Sequence, residues 1–118
     1  MKKHIISIAI LIFAFAFHSN AQKGVDTLKI KTSAQCSMCT ETIEKAMAYE
    51  RGVESSSLDL DTKILTVIYK EKKTSPGKIR KAISKVGYDA DDVAANERAY
   101  SKLPACCKKP DDPDYEEM

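Results

Sequence analysis

An α+β sandwich, with two helices over one face of a four-stranded antiparallel sheet, is the architecture this sequence predicts. Three observations predict it. Ser37 to Tyr49 and Ser75 to Val86 repeat apolar residues at helical spacing, while shorter runs around them alternate apolar and polar residues with a period of two. A tight hairpin separates the two helical stretches. The resulting order, β-α-β-β-α-β, is the split βαβ pattern of ferredoxin-like sandwiches.

Ahead of this domain, Met1-Lys2-Lys3-His4 leads into an apolar run from Ile5 to Phe17 interrupted only by Ser7. Those 13 residues are too few to span a bilayer comfortably, and Ser19-Asn20-Ala21 ends in the small-residue pattern that a signal peptidase cuts. We expect a signal peptide over residues 1–21, a mature chain beginning at Gln22, and a secreted, periplasmic location without membrane insertion of the mature chain. An uncleaved anchor is the alternative.

Cleavage would remove Lys2 and Lys3 from the 19 Lys and Arg, leaving 17 against 17 Asp and Glu. A balanced charge of that kind predicts no nucleic-acid partner. Both histidines, His4 and His18, would leave too. A metal site in the mature chain must then draw on Cys, Met, carboxylate or backbone donors, which favours soft metals.

Residues 22–95 form the expected domain. Val25 to Thr32 is the first strand, with Leu28, Ile30 and Thr32 alternating with lysines. Ser37 is the expected N-cap of the first helix, which carries Ile43, Ala46 and Met47 on one face and ends near Arg51-Gly52. Val53 to Leu60 and Ile64 to Lys70 are the hairpin strands about a turn at Thr62-Lys63. The second helix has Ser75 as N-cap, Pro76 at its first position, an Ile79-Ala82-Ile83-Val86 stripe, and Gly87 as its end. Lys78, Arg80, Lys81 and Lys85 read as its solvated face. Tyr88 to Val93 is the expected fourth strand.

Chemistry concentrates at Cys36-Ser37-Met38-Cys39, on the loop between the first strand and the first helix. A thiol there meets unpaired backbone N–H groups and the positive end of the helix dipole. Both favour the thiolate, the form that binds metals and attacks disulfides. Two such donors converging on one point suit Cu(I), Hg(II), Zn(II) or Cd(II). Tyr88, after the second helix, should stand near this pair, either as an edge residue of the core or as a support behind the sulfurs.

The strand, the Cys36–Cys39 pair, the helix opening Thr40-Glu41-Thr42-Ile43-Glu44-Lys45-Ala46, and the downstream Val86-Gly87-Tyr88-Asp89 together resemble the heavy-metal-associated domain family over roughly residues 25–93. That family includes copper chaperones, the metal-binding modules of copper-transporting ATPases, and periplasmic mercury-binding proteins. The resemblance implies a non-enzymatic carrier that holds one soft ion, Cu(I) foremost, between Cys36 and Cys39. It would pass the ion by thiolate exchange to a metal-transporting membrane protein or another CxxC protein. One departure is visible: the family usually has a Gly-Met-Thr or Gly-Met-His run before the first cysteine, with the Met packed inward, and this chain has Ser33-Ala34-Gln35.

Two other functions fit a CxxC. One is thiol-disulfide exchange, although the element order lacks the extra strand and helix of a thioredoxin-like domain. The other is a structural disulfide in an interaction module. The tail, residues 96–118, is expected to hold a short helix from Asn96 to Leu103, the Cys106-Cys107 pair, and an acidic end beyond Pro110 that is disordered. A completed fourth strand would launch this tail from the end of the domain opposite the CxxC, about 17–20 Å away. The helix and the extended residues after it span just enough to bring Cys106 and Cys107 back as additional ligands. An independent pair of exposed or oxidised thiols is the alternative.

Overall fold

The alternating pattern of the sequence becomes a buried sheet face in the structure, a computed structural model that describes residues 24–117. The expected signal peptide lies outside the described residues. Strands β1 (Val25–Lys31), β2 (Val53–Asp59) and β3 (Ile64–Lys70) pair antiparallel in the order β1-β3-β2. Central β3 buries every second side chain, Leu65, Val67 and Tyr69, and Ile30 of β1 and Leu58 of β2 continue that face. Helices α1 (Ser37–Tyr49) and α2 (Pro76–Lys85) cover it with Ile43, Met47, Ile79 and Ile83, all fully buried. Each such side chain contributes about 1.5–3 kcal/mol on leaving water, so the apolar periodicity alone sets which faces meet.

The punctuation of α2 is as the sequence predicts: Ser75 Oγ accepts from the Lys78 N–H, Pro76 opens the helix, and Gly87, at φ 101°, ends it. At α1 the cap is shifted by one position. Cys36, extended at φ −149°, is the N-cap and Ser37 is already helical. The hairpin turn places Lys63 at φ 63°, and its carbonyl accepts both the N–H and the hydroxyl of Thr32 at 2.9 Å. This double bond pins the start of the loop that carries the cysteines.

The expected fourth strand does not form: among the described residues the sheet has three strands, and Tyr88 to Val93 contributes only an isolated bridge between Ala90 and Thr32. The cause is Asp91. It adopts φ 52°, and Ala90 and Val93 exchange both of their backbone hydrogen bonds across the tight turn that results. The Asp91 carboxylate accepts from the Lys31 N–H and pairs with Arg80, which fixes the turn against the sheet edge. The inner face survives the change, since Tyr88 and Ala90 are fully buried.

The chain is thereby turned back towards α2. The Asn96 N–H donates to the Ser84 carbonyl, and the Asn96 side chain caps a short helix, α3 (Glu97–Ser101), whose backbone lies against Gly87. After Pro104 a single 3-10 turn spans Ala105–Cys107. The acidic end is not the disordered segment expected. The Tyr100 hydroxyl donates to the Asp112 carboxylate at 2.8 Å, and the Glu116 N–H donates to the Ala105 carbonyl. No helix among the described residues is long and apolar enough to cross a membrane.

Candidate metal centre

The loop bearing the first cysteine is held rigidly by small polar side chains. Thr32 Oγ1 accepts from the Ala34 N–H, and Ser33 Oγ accepts from the Asp89 N–H at 2.9 Å. Ala34 is fully buried in the core. The Ser33-Ala34-Gln35 run thus anchors the loop by hydrogen bonds and a small buried side chain, where the related pattern has an inward methionine.

Cys36 is half-buried at the N-cap and Cys39 fully buried in the first turn, their sulfurs 3.4 Å apart. The structure brings the tail cysteines to the same point. Cys36 Sγ lies 3.5 Å from Cys106 Sγ and 3.5 Å from Cys107 Sγ, and these three sulfurs all fall within 4.8 Å of one another. All four thiols are free. Met38 is 41% exposed, and its thioether accepts from the Cys106 thiol at 3.8 Å.

The tail does not travel the length of a strand to arrive there, because the turn at Asp91 keeps it at the CxxC end. Lys108, nearly buried, then locks it in place. Its ammonium donates to the Tyr100 and Ser101 carbonyls at the end of α3 and sits 4.8 Å from the centre of the Tyr100 ring. A cation at a helix C-terminus also meets the negative end of the dipole. Lys109 pairs with Asp89 at 2.7 Å. In sequence these lysines are two among 19 basic residues, and the one local hint is their position directly after Cys107.

Cys36, Cys106 and Cys107 differ in acidity. Burial works against ionising Cys36. The Cys39 N–H, although short of full capping geometry, and the thiols of Cys39, Cys107 and Cys106 outweigh burial and lower its pKa to about 7. Cys107 is pushed up, by burial first and then by Cys39 and Cys36 beside it. Cys106 is also raised, chiefly through its contact with Cys36. A cluster this tight accepts one negative charge near neutral pH, and a second thiolate at 3.5 Å is opposed by the first. A bound cation removes that opposition.

Tyr88 stands behind the sulfurs, where the sequence suggested. It is fully buried and its hydroxyl makes no hydrogen bond of good geometry. Burial, followed by the neighbouring Cys39 and Cys107, raises its pKa far above the usual phenol value, so it stays a proton donor. An orphan O–H facing thiols is costly in the protonated cluster and satisfied once those sulfurs become thiolates. The donor set is all soft sulfur with one O–H behind it, and it fits a thiophilic cation.

Fold and site together define a small α+β domain that presents thiols at a helix start, beside the end of an antiparallel sheet. Residues 23–89 match the model of the heavy-metal-associated domain, and the chain belongs to that family. Among relatives it is similar to the copper chaperone CopZ of Staphylococcus haemolyticus, 37% identical over 54 residues, which are 46% of this chain and 79% of CopZ. It is also similar to copper-transporting ATPase 1 of Rattus norvegicus, 32% identical over 74 residues, 62% of this chain but only 5% of that much longer protein. Among solved structures, oxidized MerP from Ralstonia metallidurans CH34 superposes with a TM-score of 0.55 at 28% identity, covering 57% of this chain and 94% of MerP. A CopZ metallochaperone shares the fold at a TM-score of 0.53 and 24% identity, covering 55% of this chain and 98% of its own.

Proposed function

We propose that this protein is a non-enzymatic carrier of one soft metal ion outside the cytosol. Cys36 and Cys39 hold the ion and surrender it by ligand exchange to a metal-transporting membrane protein or another CxxC protein. The observation that carries this reading is the Cys36–Cys39 pair at the helix start, 3.4 Å apart, with Cys36 acidic enough to be substantially thiolate at neutral pH. Family membership and the copper and mercury proteins named above support Cu(I) foremost, with Hg(II), Zn(II) and Cd(II) as ions the same thiolates accept. The periplasmic location rests on residues 1–21, and the intact mass of an exported form beginning at Gln22 tests it.

The arrangement of the thiols supports each step of carriage. Cys36 is the most exposed of the four thiols and its pKa is lowered to about 7, so it makes the first bond to an incoming ion and is the first reached by a partner's thiolate. Cys39, buried in the first turn with its sulfur 3.4 Å from that of Cys36, supplies the second bond. Titration of the reduced protein against a competing Cu(I) chelator tests the reading. Cys36→Ser and Cys39→Ser should each abolish tight binding, and undiminished affinity in both would refute it. Insulin reduction by the metal-free protein, run alongside, would instead favour thiol-disulfide exchange.

A further inference from the structure

We infer that Cys106 and Cys107 complete, with Cys36 and Cys39, a closed four-thiolate centre for a single divalent d10 cation of the Zn(II) and Cd(II) class. The inference rests on the reading that the Cys36–Cys39 pair takes metal, and adds the other half of the coordination shell together with the ion class that shell prefers.

Spacing is the first argument. A tetrahedral ion with metal–sulfur bonds of about 2.3 Å needs sulfurs about 3.8 Å apart, whereas a linear two-coordinate ion needs them about 4.6 Å apart. Cys36 meets its three sulfur neighbours at 3.4, 3.5 and 3.5 Å. These three separations match tetrahedral edges contracted by a few tenths of an ångström; the sulfurs of Cys36, Cys106 and Cys107 already lie within 4.8 Å of one another, and Cys39, 3.4 Å from Cys36 but outside that group, is the one that draws in when the shell closes.

Enclosure is the second. Cys39, Cys106 and Cys107 are all buried, and the 3-10 turn that carries the tail pair is held by Lys108 on the end of α3 and by the Lys109–Asp89 ion pair. Four protein ligands with no open position are the signature of structural rather than catalytic sites. Buried thiols often serve simply as small apolar residues. That role gives no reason for three sulfurs to converge on Cys36, or for a buried tyrosine hydroxyl without a partner to stand behind the cluster.

Loading balances as M(II) plus four thiols giving a tetrathiolate centre of charge −2 and four protons released to solvent, less the fraction Cys36 has already lost. No electron moves. The Cys39 N–H and the Tyr88 O–H are the donors placed to stabilise the charge.

The test uses the reduced full chain and Zn(II) or Cd(II) alone as probe. X-ray absorption on the wild-type protein should count four sulfur neighbours around one ion per chain. In Cys106→Ser/Cys107→Ser, and in the alanine pair that guards against a misfolded serine variant, the sulfur count should fall to two. Zn(II) affinity should drop by on the order of a thousandfold, as expected when a structural site loses half its ligands. Cu(I) affinity should change by less than about tenfold, since two thiolates suffice for it. A wild-type count of two sulfurs, more than one ion per chain, or equal Zn(II) affinity in wild type and both tail variants would overturn the inference. In each of those cases, loss of Cu(I) binding in Cys36→Ser would still support the carrier reading. Cu(I) affinity retained in both Cys36→Ser and Cys39→Ser would sink the carrier reading instead.

Discussion

Gly87 joins the end of α2 to the seat of the tail, and Gly87→Ala tests whether that joint matters. A Cβ at this position would lie 3.1 Å from the carbonyl carbon and oxygen of Ala99 and 3.1 Å from the Tyr100 nitrogen, all backbone atoms of α3. Two costs follow. Holding a non-glycine residue at φ 101° costs about 1–2 kcal/mol, and crowding a packed backbone costs about 1–3 kcal/mol more. For a domain of this size a total of about 2–5 kcal/mol lowers Tm by at least ~8 °C. Two other glycines separate the contributions. Gly24 has φ 90° with open space where a Cβ would go, so Gly24→Ala should show the backbone cost alone. Gly77 lies within α2 in open space, so Gly77→Ala should stabilise by about 0.5–1 kcal/mol through helix propensity. Calorimetry on the three reduced variants gives the comparison. Because the end of α3 receives Lys108, the shift forced by Gly87→Ala should also speed alkylation of Cys106 and Cys107. A Gly87→Ala protein no less stable than Gly24→Ala would refute the reasoning.

Two further outcomes are expected. Tyr88→Phe removes a buried hydroxyl without a partner, so the reduced metal-free protein should be as stable as wild type or more stable by up to about 1–2 kcal/mol. Its metal affinity should nevertheless fall about 10–100-fold, which competition titration measures; unchanged affinity would remove Tyr88 from the site. At Asp91 burial opposes ionisation, but the Lys31 N–H and the Arg80 guanidinium hold its pKa below the ordinary carboxylate value. A depressed folded pKa contributes stability above the unfolded value, near pH 4, that is lost as pH falls through the folded one. Asp91→Asn, which tolerates positive φ, should cost about 1 kcal/mol at neutral pH. Its acid unfolding below about pH 4 should be shallower than wild type, and identical acid profiles would count against the pair.

Most of the domain could be read from the chain because its elements bury apolar residues at regular spacing. Leu65, Val67 and Tyr69 specify β3, Ile79 and Ile83 specify the inner stripe of α2, and Ser75-Pro76 with Gly87 mark its ends. The fourth strand was misread because alternation at Tyr88 and Ala90 looks the same whether or not the chain continues straight. Asp91 decides that through two long-range partners, Lys31 and Arg80, which no local pattern reveals. The cap of α1 was off by one for a related reason. Ser37 is the better capping residue by propensity, but the N-cap falls on Cys36 with no side-chain cap bond. At the site, the CxxC and the tyrosine after Gly87 carry a local signature. The return of Cys106 and Cys107 was reached by counting residues along the wrong route, since the bonds that set their position, from Lys108 and Lys109, link lysines to backbone and carboxylate groups elsewhere in the fold.

Cys36 and Cys106 touch across 70 positions of sequence. An ion gripped by both would act on the unfolded chain as a cross-link does, denying it the freedom of a 70-residue loop, a restriction worth about 4 kcal/mol on the chain-entropy scale used for disulfides. Unlike a disulfide, this clasp opens without a reductant whenever a stronger thiol partner takes the ion. Cargo and constraint would then be released in one act, and the tail of the emptied molecule would be held by the bonds of Lys108 and Lys109 alone.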